Sequence, residues 1–525
     1  MSATFDTLLL GGTVYDGSGA PEKRADVALA GDRIAAVGDL AGAAARRVVD
    51  AAGLAVAPGF IDVHTHSDAH VLVEPDAAGK IAQGVTTEIV GQCGASLAPF
   101  FGRRSVPADW TAVGVPGCPT FADYRGQVER VRPAVNVVAF AGHNALRAGV
   151  MGYEPRPATA DEVAAMARHL EQALDEGASG LSTGLIYQPG RYATTDEIVA
   201  LARVAAGRGG LYASHMRSES GKLLEAIDET LAIGRATGIR LQISHLKTSG
   251  EDNWGKLDDA LERVRQARRQ GLIVHGDRYP YTASWTDLDI VLPEWSVAGG
   301  RDAILARLAE PATAARMASD MDAKRPPDAW SSVRIGGTVH PDLRPLRGRT
   351  VAEVAAERGI GGGQAVVWIL TRDELRTSAF FFGMSEANMR RVFAEPWVMV
   401  GSDASIERPT GPLAARYPHP RAYGTFPRFL RLVQDEHLMP LSEALRRCTS
   451  LAADAFGLPG RGRIAAGAFA DVVVFDPAAV RDVATFGEPQ QFAAGVRQVW
   501  TNGRLGYDNG RFTGDRGGVF LQSRF

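Results

Sequence analysis

The chain has 525 residues, of which 45% are hydrophobic and 22% charged, enough for one large domain and a smaller one, each with its own core. Its net charge of -3 at pH 7 predicts neither a nucleic-acid partner nor an anionic membrane surface, and no apolar run approaches the ~20 residues of a membrane span. Three scattered cysteines, Cys93, Cys118 and Cys448, exclude a disulfide framework. The first residues, Met1 to Asp6, carry no basic region followed by an apolar core and a cleavage site, so the expected location is the cytoplasm. Oligomeric state is not legible.

From the N-terminus to Ala57, short apolar or alternating runs are broken by turns: Thr7 to Leu10 before Gly11-Gly12, Val27 to Leu29 before Gly31-Asp32, Arg33 to Gly38, and Val48 to Asp50. These predict an antiparallel β module. Eight apolar runs follow: Phe60 to Val63, Thr86 to Val90, Val135 to Phe140, Gly180 to Leu185, Leu211 to Ser214, Leu241 to Ser244, Leu272 to His275, and Val398 to Val400. Several are separated by stretches of helical period that open with capping-box spacing, at Thr159 to Glu162 and Thr194 to Glu197. Strands alternating with helices, with eight strand runs counted, predict a closed parallel (β/α)8 barrel. The rhythm breaks at about 285–385, where a turn-rich segment Lys324-Arg325-Pro326-Pro327-Asp328 marks an insertion, either a rim over the barrel mouth or a surface excursion. The β texture returns in Ala470 to Asp476, Val496 to Trp500 and, past the turn at Asn502-Gly503, Arg504 to Gly506. The expected architecture is therefore α/β: a barrel over 58–463, and a small β-sandwich domain formed from both termini, 1–57 and 464–525.

A barrel of this kind places its chemistry at the C-terminal ends of its strands. The first run ends in Asp62-Val63-His64-Thr65-His66; side chains at i and i+2 leave one face of a strand, so His64 and His66 can point at one metal ion. A surface His-x-His is the alternative. The second run ends in Gly91-Gln92-Cys93-Gly94, the fifth in Ser214-His215-Met216-Arg217, the sixth in Ser244-His245-Leu246-Lys247, and the eighth in Gly401-Ser402-Asp403-Ala404. Imidazole, thiolate and carboxylate are the groups that hold zinc. Taken singly, His215 or His245 also reads as a satisfied interior histidine and Asp403 as a helix cap; five strand ends together point to a metal site. Cys118 and Cys448 read as buried structural thiols, His70, His169, His340 and His437 as structural, and His143 stands between a supporting role beside the ligands and a structural one.

The Pro58-Gly59-Phe60-Ile61-Asp62-Val63-His64-Thr65-His66 start, the later single histidines, Ser402-Asp403 and the flanking β module resemble the amidohydrolase superfamily. More narrowly, Gly91 to Gly94, Gly180-Leu181-Ser182-Thr183-Gly184, Ser214 to Arg217, Ser244 to Lys247, His419-Pro420-Arg421 and Gly424-Thr425-Phe426-Pro427 resemble the N-acyl-D-amino-acid deacylases. The resemblance runs through nearly the whole chain and weakens in the insertion. Many relatives with two metals bridge them through a carboxylated lysine at the fourth strand, but Gly180 to Tyr187 contains no lysine; the resemblance gives that place to Cys93. It implies one zinc tightly held by Cys93, His215 and His245, with His64, His66 and Asp403 around a second, weaker position. It also implies that Lys247, Tyr281 and Arg421 bind the α-carboxylate of a small-molecule substrate. Tyr187 is expected near the carbonyl or acyl group, and Asp403 as the proton shuttle between attacking water and leaving amine. The activity implied is zinc-dependent hydrolysis of N-acyl-D-amino acids. Two alternatives stand beside it: a cyclic amide or dipeptide substrate on the same metal site, against which the absent fourth-strand lysine and the presence of Lys247 count for cyclic imides, and a non-catalytic scaffold, which would be expected to have lost ligands.

Overall fold

The computed structural model describes residues 5–105, 107–326 and 328–525; the first four residues of the N-terminal reading and Pro327 of the turn-rich segment lie outside them. All eight apolar runs form strands: Phe60–Asp62, Val85–Val90, Asn136–Ala139 continued by Ala141–Gly142, Gly180–Gly184, Leu211–His215, Arg240–Ile243, Val274–Arg278 and Val398–Val400. Each pairs in parallel with the next. The ring closes where Thr65 bridges Ala404 in parallel and the Asp403 N–H donates to His64 O at 2.8 Å. The strands are buried on both faces, which is why they read as apolar runs rather than alternating ones. The seventh strand starts two residues later than its apolar run. Leu272 instead gives its N–H to Ala267 O at 3.1 Å, closing the end of the helix Leu257–Arg269, and Ile273 is exposed.

The capping boxes differ between the two predicted sites. At Thr159 both halves form, at the start of the helix Ala160–Asp175. At Thr194 the hydroxyl caps the Glu197 N–H, but the Glu197 carboxylate does not reach back. It is held instead by Arg147 at 2.7 and 2.6 Å and by His143 at 2.8 Å, which places His143 in a buried structural triad between two helices.

A nine-stranded sheet draws on both ends of the chain. Val472–Phe475 lies antiparallel to Ala55–Pro58, and Phe5–Val14 is long enough to pair first with Ala45–Asp50 and then with Ala55–Pro58 along one side. Leu9, Val27, Leu29, Ile34, Val472, Val474 and Trp500 fill its core. Asn502 and Gly503 turn the hairpin between Val496–Thr501 and Arg504–Asp508 with φ of 48° and 74°, the left-handed pair that a two-residue hairpin requires. Beyond this sheet the chain returns to the barrel: Phe520–Leu521 pairs in parallel with the third barrel strand, opposite Val137 and Val138.

The insertion is a folded unit. Ala283–Asp287, Ser378–Phe382 and Val333–Ile335 form a three-stranded antiparallel sheet, backed by the helices Gly300–Ala309, Pro311–Ala323, Val351–Arg358 and Gly362–Arg372. Leu288, Met317, Ile335, Val366 and Ile369 make its own buried core. It meets the barrel mouth through Thr286, whose hydroxyl lies 3.3 Å from the Tyr187 hydroxyl, and through Ala283, whose carbonyl takes the His419 ring at 3.0 Å. No helix among the described residues is long and apolar enough to cross a membrane.

Candidate metal centre

Cys93, His64, His66, His215, His245 and Asp403 converge at the C-terminal ends of the barrel strands, in two sets that share Cys93. His64 Nε2 and His215 Nδ1 each lie 3.3 Å from Cys93 Sγ, and His245 Nε2 lies 3.6 Å from it. His215 Nδ1 and His245 Nε2 are 3.0 Å apart. On the other side, Asp403 Oδ1 stands 3.0 Å from His66 Nε2 and 3.5 Å from His64 Nε2. Tetrahedral zinc, with bonds of about 2.3 Å to sulfur and about 2.0–2.1 Å to nitrogen, sets sulfur and nitrogen ligands about 3.5 Å apart and two nitrogens about 3.3 Å apart. Both sets therefore have donor types and spacings that fit zinc.

The backbone is unusual at these residues. Cys93, His245 and Asp403 have φ of 53°, 35° and 52°, a region that non-glycine residues enter rarely and at a cost of order 1–3 kcal/mol each. Cys93 is carried between Gly91 and Gly94, also at positive φ. A Cβ on Gly94 would stand 2.1 Å from Asn144 Oδ1 and 2.7 Å from Gly184 N, so the loop passes too close to the third and fourth strand ends for any side chain there.

The electrostatics call for a cation. Burial works against the Cys93 thiolate, but His64, His215 and the hydrogen bonds of His215 and His245 outweigh it and bring the thiol well below its usual range. Burial likewise opposes charge on His64, yet Asp277 and Cys93 raise it well above the ordinary histidine value. Asp403 and Cys93 lift His66 to about 9. Glu219 and Asp403 lift His245 to about 9 against burial and Lys247. His215 is lowered, by burial and by His245. At Asp403, Arg421, His245 and the His66 hydrogen bond overcome burial and hold the carboxyl well below the carboxylate range. Positive charge is thus bound by the thiolate and the carboxylates, and a metal ion answers the same demand with the imidazoles neutral.

Two carboxylates that sequence reasoning missed support the ligands. Asp277, fully buried, has Oδ2 3.4 Å from His64 Nδ1 and accepts from Gln242 Nε2 at 2.6 Å, while its Oδ1 accepts the His245 N–H at 2.8 Å. Glu219 Oε1 lies 2.8 Å from His245 Nδ1. Such partners fix which ring nitrogen faces the metal. Both carried a signal: Asp277 stands at the seventh strand end, and Glu219 follows His215 by four residues.

The expected substrate-binding residues divide. Arg421 opens the helix Arg421–Glu436 and is 1% exposed. Its Nη1 pairs with Asp403 Oδ2 at 3.0 Å, and its Nε has no hydrogen-bond partner. Lys247 faces the mouth, but its Nζ is engaged by Glu219 Oε1, by His245 O at 3.0 Å and by His245 Nδ1 at 2.7 Å. Tyr281 turns away: its hydroxyl donates to Asp482 at 3.4 Å and its ring lies under Arg428. Tyr279 occupies the chamber instead, with Arg421 4.6 Å and Lys247 5.9 Å from its ring centroid, and its buried hydroxyl lacks a hydrogen-bond partner. Tyr187 packs edge-on against His215, ring centroids 4.8 Å apart.

Residues 47–507 match the amidohydrolase family. The chain is 40% identical to a D-aminoacylase of Alcaligenes xylosoxydans xylosoxydans, over 99% of this chain and 98% of that one. It is also 40% identical to an N-acyl-D-glutamate deacylase of the same organism, over 96% of this chain and 94% of the relative. Among solved structures it resembles the N-acyl-D-glutamate deacylase of Bordetella bronchiseptica, complexed with zinc and a phosphonate inhibitor that mimics the tetrahedral intermediate. There the TM-score is 0.86 at 36% identity, over 99% of this chain and 100% of that one.

Proposed function

The chain belongs to the amidohydrolase family, and from that premise we propose that it is a zinc-dependent deacylase that hydrolyses N-acyl-D-amino acids to a carboxylate and a D-amino acid. The observation that carries this reading is the shared mouth of two features: a thiolate–imidazole cluster with zinc spacing, and a buried arginine on Asp403 with a free N–H. Cys93, His215 and His245 hold the tight ion, and His64, His66 and Asp403 a second, weaker one against the same thiolate. Bound there, zinc supplies a Lewis acid for the amide carbonyl and brings the pKa of water down to about 7.

The chain's own residues do the rest. Asp403 is the one carboxylate within the donor sets; it takes a proton from the attacking water and returns it to the leaving nitrogen, so the amine departs neutral. Arg421 and the Tyr279 hydroxyl receive the α-carboxylate. Lys247, balanced by Glu219, adds positive field to that end of the chamber and keeps Glu219 aligned on His245. Tyr187 walls the acyl side beside His215.

The test is release of free amino acid from paired N-acetyl-D and N-acetyl-L forms of methionine and glutamate by zinc-loaded protein, with Cys93→Ala and Asp403→Asn beside it. Cleavage of D forms alone is expected, abolished with zinc binding in the first variant and slowed by about 10²–10⁴-fold in kcat in the second. Equal cleavage of both enantiomers, or of neither by zinc-loaded protein, refutes the proposal.

A further inference from the structure

A buried ammonium grips the backbone turn that carries Asp403. Lys80, on the short helix Ala78–Ile81, is 0% exposed. Its Nζ donates to Asp62 Oδ2 at 2.9 Å, to Ser402 Oγ at 2.8 Å and to Ala404 O at 2.9 Å, and Glu88 Oε1 stands 3.1 Å away. An ammonium is all donor and no acceptor, so the burial of this one is offset by carboxylates from the first and second barrel strands. Its two neutral acceptors are the residues on either side of Asp403.

Closing the barrel would need only the carboxylates. The grip on Ser402 and Ala404 has a different use. Asp403 has φ of 52°, a conformation that a residue with a side chain keeps only where its surroundings over-determine it. The surroundings here are a closed set of hydrogen bonds. The Ser402 N–H donates to Asp62 Oδ1 at 2.8 Å, and the Ala404 N–H to Ser402 Oγ at 3.3 Å. The Asp403 N–H donates to His64 O at 2.8 Å, and Ala404 O accepts the His66 N–H at 3.3 Å besides the ammonium. Asp62 and Lys80 thus fix the main chain entering and leaving Asp403, while Arg421 and His66 hold its carboxylate.

We infer that Lys80 is a positioning residue for Asp403, acting through Ser402 Oγ and Ala404 O to keep the carboxylate where it can move a proton. This rests on the deacylase reading above. A proton shuttle must stay within hydrogen-bond reach of both the attacking water and the leaving nitrogen, and a displacement of about 1 Å can cost about 100-fold in rate. The loss falls on kcat, because Arg421 and the Tyr279 hydroxyl receive the α-carboxylate without Lys80.

Lys80→Met alone leaves Asp62 and Glu88 buried without their cation, so the experiment sets it beside the charge-neutral variant Lys80→Met/Asp62→Asn/Glu88→Gln. Asparagine keeps an oxygen for the Ser402 N–H, and exchanging a buried ion cluster for neutral groups of similar size is often tolerated. The readouts are urea stability, zinc titration against a chromophoric chelator, and kcat and KM of the zinc-loaded proteins on N-acetyl-D-methionine and N-acetyl-D-glutamate. Lys80→Met should be destabilised. The triple variant should recover stability and bind its first zinc as wild type does, yet hold the second, which Asp403 helps to ligate, more weakly. Its kcat should stay about 10–100-fold below wild type with KM little changed. Recovery of kcat along with stability, the signature of a lysine that only closes the barrel, overturns the inference, and so does loss of the first zinc. Ser402→Ala removes one grip and leaves every charge, and it decides the matter if the lysine variants do not fold: a kcat within about twofold of wild type overturns the inference, and a larger fall at steady KM supports it. Cleavage of neither D substrate by the wild-type protein refutes the deacylase reading itself, and the affinity for the second zinc then still tests the hold of Lys80 on Asp403.

Discussion

Glu219→Gln separates the charge of a supporting carboxylate from its shape. Glu219 Oε1 meets both Lys247 Nζ and His245 Nδ1, and glutamine can offer the same oxygen to both without the negative charge. Two consequences follow. In the metal-free protein, Lys247, 5% exposed, becomes a buried ammonium with no counter-ion. Unit charges at about 4 Å interact by about 4 kcal/mol at an effective dielectric near 20, and breaking a buried pair from one side costs about 3–5 kcal/mol. In the zinc-loaded protein, His245 loses the anion that makes its Nε2 a strong donor, which lowers metal affinity by about 10–100-fold, or about 1.4–2.7 kcal/mol. Zinc affinity is read by competition with a chromophoric chelator, and stability by urea unfolding of the metal-free form. Adding Lys247→Met should restore most of the stability, because both charges are then gone, and none of the zinc affinity. An affinity for zinc within twofold of wild type, or a stability cost below about 1 kcal/mol, refutes the assignment of Glu219 as support for His245.

Two further outcomes are expected. His275, near the start of the seventh strand, is pushed down to about 4 by burial and by the repulsion of Arg268, Arg240 and Arg446, against about 6.5 when unfolded. The unfolded chain therefore binds the extra proton between these values, and stability present above about pH 6.5 is lost as pH falls through about 4, by at most about 3 kcal/mol and less for the ring's partial exposure. Urea midpoints at pH 7, 5.5 and 4.5 should fall more steeply for wild type than for His275→Gln, and parallel curves would contradict the sign. Gly94→Ala must hold φ near +76° with its Cβ against Asn144 and Gly184. It should cost about 1–3 kcal/mol from the backbone alone and reduce bound zinc by displacing Cys93; full zinc content by metal analysis would exclude that coupling.

The barrel was legible because its strands are short and buried on both faces, so apolar runs mark them whatever lies between. The ligands were legible because each is a strand-end residue, and strand parity brings His64 and His66 to one side. The resemblance gave the substrate carboxylate to Tyr281, but the strand ends at Arg278 and the chain turns at Pro280, with the Tyr281 N–H folding back on Tyr279 O at 3.0 Å. Tyr279, two residues past Asp277, is the one that continues the inward face. The capping box at Thr194 was half right because Glu197 had a stronger attraction in Arg147 and His143, a competition between segments that spacing cannot display. The insertion's own core was hidden for a related reason: its three strands pair across gaps filled by four helices, and local pattern carries no record of which strand finds which.

The pairing of Phe520–Leu521 with Val137 and Val138 bears on how the protein is made. The Val519 N–H donates to Asn136 Oδ1 across 383 positions of chain. At about 5–20 residues per second, the first half of the third barrel strand leaves the ribosome roughly 20 seconds to more than a minute before Phe520–Leu521 exists, while the fourth strand covers only its far end. During that interval the edge at Val137 and Val138 stays open to the cell, and open edges recruit foreign strands. Translation speed over the second half of the message and access to a holding chaperone thus belong among the conditions that set the yield of active enzyme.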